Sequence, residues 1–237
     1  MGLDIGVGWL ARAARDSDDL EAFNKTFELL NEVLAEAGMP PHREPFDISD
    51  DQVFSAQMWG YGGLHAIRRL AAFHACEGRL PPPGRLESYS QDPMIERLYQ
   101  IQFRDSKNQK NFLRRWLSAK GTPPKFLHLL WHSDCEGFYI PIDFERVILD
   151  KADPQRAGIG GMVGSSPRLL KECLELSELI SLPPGIDPEA EELWVNADSS
   201  PAEGELWQIY GVEAFGLARL IRGCELSIKN QAVLAFG

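Results

Sequence analysis

The segment Lys125 to Phe144, KFLHLLWHSDCEGFYIPIDF, gathers the groups best able to do chemistry: His128, His132, Asp134, Cys135, Glu136, Tyr139 and Asp143. A histidine titrates near neutrality and a neighbouring carboxylate can orient it, so a His–Asp pair here would suit general acid–base work. As extended chain, a first strand carries His128, Leu130, His132 and Asp134 on one side and Leu127, Leu129 and Trp131 on the other. A second strand sets Phe138, Ile140, Ile142 and Phe144 against Tyr139, Pro141 and Asp143. Pairing Asp134 with Gly137 brings His128 to Asp143 and His132 to Tyr139 on a polar face. The other face is then wholly apolar, as a half-buried sheet requires. A three-residue turn through Asp-Cys-Glu-Gly would shift this register by one and mix the faces. The candidate catalytic residues are His128, His132, Asp143 and Tyr139. Pro141 cannot donate to a ladder, which predicts an edge or bulged strand.

Metal chemistry is not expected there. Two histidines four apart on a strand lie about 13 Å apart at ~3.3 Å per residue, too far to share an ion. Cys135 as a nucleophile is disfavoured by carboxylates on either side, which raise a thiol's pKa. The four cysteines, Cys76, Cys135, Cys173 and Cys224, show no metal-ligand or disulfide spacing, and no cofactor is implied.

A second candidate is the glycine-rich run from Gly158 to Gly164, followed by Ser165-Ser166-Pro167 at a helix start. Backbone N–H groups at such a start attract anions, which nominates Gly161, Gly164, Ser165, Ser166 and Arg168 as anion-binding residues. No lysine follows Gly164, so the run is not a phosphate loop. Gly6-Val7-Gly8-Trp9-Leu10-Ala11 matches a dinucleotide fingerprint only in form, since Trp9 blocks close approach to the backbone. Gly60-Tyr61-Gly62-Gly63, with His65, Arg68 and Arg69 after it, reads as a helix joint, and Lys107, Lys110, Arg114 and Arg115 as a basic helix face.

The elements that must position these groups follow from hydrophobic spacing. Leu3 to Leu10 reads as a strand. Leu20, Phe23, Phe27, Leu30, Val33, Leu34 and Ala37 have helical spacing, with Gly38 placed to end the helix. Ser49 and Gln52 form a capping-box pair that predicts a helix through Met58 and Trp59, and a further helix runs from Leu64 to Gly78. Helices are also expected over Pro93–Phe103, over Lys107–Ala119, after Pro167 and along Phe215–Ile228. Pro183 to Asp198 reads as an acid-rich loop with a short strand at Leu193–Val195, and Ala232–Phe236 as a closing strand. The result is an α/β or α+β chain: one mixed sheet with a central hairpin at about 126–144 and strands near both termini, covered by helices. One domain over 1–237 is expected, with a weak internal boundary at residues 80–84.

Composition narrows function. The chain carries 35 Asp and Glu against 24 Lys and Arg, a net charge of −11. That balance disfavours nucleic acid and anionic membrane as partners and favours a basic protein. The N-terminus lacks the features of a signal peptide, and no apolar run approaches the ~20 residues of a membrane span, so a cytoplasmic protein is expected. The leading functional reading is a non-enzymatic, inhibitor- or immunity-like protein that binds a basic partner. The alternative is a small hydrolase or transferase using the His/Asp pair of the 126–144 hairpin.

Overall fold

A computed structural model describes residues 3–16, 20–84, 86, 88–103, 125–134, 137–150, 159–199 and 201–237. Strand β1 (Asp4–Val7) pairs antiparallel with β2 (Phe54–Gln57) on one side and with β6 (Leu234–Phe236) on the other. On its far side β6 pairs antiparallel with β3 (Gly137–Ile140). Strand β3 runs parallel to β5 (Met162–Ser165), and β4 (Ile148–Leu149) closes the far edge antiparallel to β5. The order β2-β1-β6-β3-β5-β4 is a single mixed sheet, and the fold is α+β, as composition and spacing imply.

Strand alternation sends side chains to two cores. Leu3, Ile5, Tyr139, Leu234 and Phe236 enter the larger one, while Phe138, Ile140, Val163, Val233 and Ala235 enter the smaller. The smaller core is closed by α2 (Leu20–Glu36) through Phe27, Leu30, Val33 and Leu34. The larger core is covered by α3 (Tyr61–Glu77), α6 (Ser166–Leu179) and α9 (Gly211–Asn230), with α4 (Pro93–Phe103) and α7 (Glu191–Ser199) packed outside them. Two shorter helices are α1 (Trp9–Asp16) and α8 (Leu206–Ile209).

Several expectations need correction. The Ser49–Gln52 signal produces only a 3-10 turn, and the following residues form β2. Pairing with β1 decides this: Ala56 points inward while Ser55 and Gln57 face solvent, an alternation that suits an edge strand. The Leu3–Leu10 strand ends at Val7, and Trp9 opens α1. Leu193–Val195 lies inside helix α7, not in a strand. Met162–Ser165 of the glycine-rich run is β5. The 126–144 hairpin does not form: Leu127–Leu130 is a helical turn, α5, and among the described residues of the segment only Gly137–Ile140 is a strand. Strand β3 is interior rather than an edge, and it stops just before Pro141, where a ladder donor would be missing. In the 80–84 connector, Pro81 O accepts from the Tyr210 hydroxyl at 2.6 Å and Pro82 O accepts from Arg69, which leaves the expected weak boundary there untested. The Lys107–Ala119 helix, Cys135, Glu136 and Gly158 lie outside the described residues.

Candidate functional site

Groups distant in sequence hold the α5 turn in place. Glu172 of α6 accepts the His128 and Leu129 N–H groups at 3.1 and 2.8 Å, capping the turn's amino end. At its carboxyl end Arg68 donates to Leu129 O and His132 O at 2.9 Å, and the Tyr99 hydroxyl donates to Leu130 O at 2.7 Å. Burial raises the Glu172 carboxyl to about 8, against the pull of those backbone N–H groups.

Both histidines of this segment are buried. His128 Nδ1 accepts the Ser165 N–H at 3.0 Å, and its carbonyl accepts the Tyr139 hydroxyl at 2.9 Å. The His132 ring stacks on Tyr139 at 4.0 Å and 19°, with Nε2 3.1 Å from the Phe138 carbonyl. Burial lowers both imidazoles to about 4. Two glycines make room for the stacked rings. A Cβ on Gly137 would lie 2.8 Å from the His132 ring, and one on Gly164 would lie 2.2 Å from that of Tyr139. Asp143 does not pair with His128. It is exposed and ion-paired with Arg168. The four nominated catalytic residues thus sit close in the fold, but the imidazoles serve backbone and ring packing and the carboxylate serves a guanidinium.

The nominated anion residues are also internally satisfied. Ser165 caps α6, its hydroxyl accepting the Arg168 N–H at 3.3 Å and donating to Ile142 O at 2.7 Å. The Ser166 hydroxyl lies 2.7 Å from that of Ser227, and both residues are fully buried. Gly161 O accepts the Asp150 N–H. Gly164 is pressed against Tyr139, and Arg168 faces Asp143. Near the third glycine run, Arg68 and His65 both face Asp134, and Arg69 pairs with Asp92 at 2.6 Å.

Charge is what the surface does concentrate. Between Lys171 and Arg219 the chain has no lysine, arginine or histidine, yet it carries eleven Asp and Glu residues. Removing those eleven from the 35 leaves 24, which the 24 lysines and arginines balance, so the whole net charge of −11 resides in this stretch. Eight of the eleven are exposed: Glu178, Asp187, Glu189, Glu191, Glu192, Asp198, Glu203 and Glu205. They lie on the end of α6, the loop after it, α7 and the loop that follows, as an acidic flank outside the larger core. On α7, Glu191, Glu192, Val195 and Asp198 share the outward face while Leu193 and Ala197 are buried. Arg219, completely buried, anchors this flank from below. It donates to Glu189 at 3.0 Å and to Phe215 O at 3.3 Å, with its guanidinium 3.4 Å over the Phe215 ring and 5.0 Å from that of Trp194. Burial lowers its pKa to about 10, and the Glu189 and Asp187 charges oppose that fall. The other seven exposed acids make no ion pair with a described residue.

A family model described as "Putative DNA-mimic protein" matches residues 1–236. The chain belongs to this DNA-mimic family. No curated protein and no solved structure matches it. Family membership overturns both earlier functional readings, the inhibitor- or immunity-like domain and the hydrolase or transferase. The absence of any cation across 172–218 is legible in the sequence without coordinates. No helix among the described residues is long and apolar enough to cross a membrane.

Proposed function

We propose that this DNA mimic binds a basic, DNA-binding protein at its DNA-contacting surface, with the acidic flank standing in for backbone phosphates. The observation that carries the reading is the segregation of charge: a formally neutral remainder and one cation-free stretch holding the formal excess of acids, eight of them exposed. Proteins that grip DNA do so largely through Lys and Arg contacts to phosphate oxygens. A carboxylate offers arginine the same bidentate, charge-assisted hydrogen bonds. On α7 the Glu191 and Asp198 positions are about 10.5 Å apart along the helix axis at 1.5 Å per residue, so the helix sets out its exposed carboxylates in an extended row. Leu174, Val195 and Leu206, 43%, 53% and 40% exposed, give the flank apolar contacts that a bare array of charges lacks. A partner of this kind is met in the cell interior.

The test is affinity capture on the immobilised chain from an extract of the source cells, followed by elution with a short DNA duplex. The reading expects DNA-binding proteins in the duplex eluate and their loss from a matrix carrying Glu191→Lys with Glu192→Lys. Retained proteins that no duplex releases would contradict it.

A further inference from the structure

We infer that the cavity beneath the flank is the seat of one arginine or lysine side chain of the partner, an inference that rests on the DNA-mimic reading and names its anchor. The cavity, about 560 Å³, lies between the end of α6, the 182–188 loop and the middle of α9. Its rim brings together Glu178, Asp187 and Glu225 from those three elements, against a single cation, Arg222. Its walls are apolar, including Ile186 and the half-exposed Leu174. Long basic side chains need this combination: hydrocarbon along the stem and carboxylate at the head. An acidic or neutral polar group would meet a net negative rim and lose its water without return. Asp187 is fixed in place because its Oδ1 accepts the Glu189 N–H at 3.0 Å, and Glu189 is held by Arg219. One of the three carboxylates is thus held in place by its own loop, and a pocket within a charged interface is where binding energy concentrates.

Two measurements test this. In the first, N-acetyl-arginine amide is titrated into the whole chain and followed by backbone NMR. Saturable shifts are expected at Leu174, Ser177, Ile186 and Ala218, and they should vanish in Glu178→Gln with Asp187→Asn. In the second, that double variant is compared with Asp198→Asn with Glu203→Gln, which removes the same charge from the flank outside the cavity. The cavity pair should weaken binding to the duplex-eluted protein by about tenfold and the control pair by about twofold. Equal losses in the two pairs, or no shift at the cavity amides, would overturn the inference while leaving duplex-displaceable binding intact. Cavity shifts with arginine amide in a chain that retains no duplex-displaceable protein would support the cation seat and count against the DNA-mimic reading.

Discussion

At the scale of single residues, the sequence advertises reactivity that burial removes. His128 and His132 read as an acid–base pair because their types and spacing permit it. What a sequence does not display is the Ser165 N–H that occupies His128 Nδ1, or the Tyr139 ring stacked on His132. With their pKa lowered to about 4 from an ordinary 6.5, both imidazoles refuse protons that the unfolded chain accepts. Their contribution to stability is full above pH 6.5 and is lost as pH falls from there toward 4. Histidine ring NMR should accordingly find both neutral at pH 5.5, and a protonated signal from either at that pH would refute the assignment. Glu172 has the opposite sign. Its folded pKa of about 8 lies above the usual 4.5, so its contribution is full below 4.5 and is lost as pH rises to 8. Between pH 6.5 and 8 this should remove on the order of 1–2 kcal/mol of stability. Urea denaturation at those two values should show the loss in the native chain and little of it in Glu172→Gln. An equal loss in the variant would assign the pH dependence elsewhere.

Among the elements, those that depend on their own spacing were legible. The apolar rows of α2, α3, α6 and α9 and the capping Ser165-Ser166-Pro167 signal all correspond to observed helices. Elements decided by partners far along the chain were not. Residues 127–130 alternate well enough for a strand, but Glu172, Arg68 and Tyr99 supply the hydrogen bonds that make them a turn of helix. Residues 54–57 follow a good capping box, yet β1 recruits them as an edge. Arg219 is the comparable device for the acidic flank. Its guanidinium packs on Phe215 and Trp194, a place a methionine could fill, so Arg219→Met should change global stability by no more than about 1–2 kcal/mol. Loss of the Glu189 bond should instead free the loop. Hydrogen exchange at Glu189 and Ala190, whose N–H groups bond to Asp187, should speed up in this variant while exchange in α9 stays slow. Uniform acceleration across α9 would show that Arg219 serves the core and not the flank.

Over the whole molecule, the net charge of −11 pointed to a basic partner, but a total says nothing about where charge lies. The formal excess falls within residues 172–218, and eight of those eleven acids are exposed on the end of α6, on α7 and on the adjoining loops, with α7 packed outside α9. Such a face acts through steering as well as contact, so its association rate should fall steeply with salt. The central claim is that this face and DNA compete for one surface. The most direct measurement is fluorescence anisotropy of a labelled duplex bound to the captured protein, titrated with the chain. The account predicts complete displacement of the duplex, with Glu191→Lys and Glu192→Lys together weakening it by about tenfold. A ternary complex in which anisotropy stays high at saturating chain would contradict it.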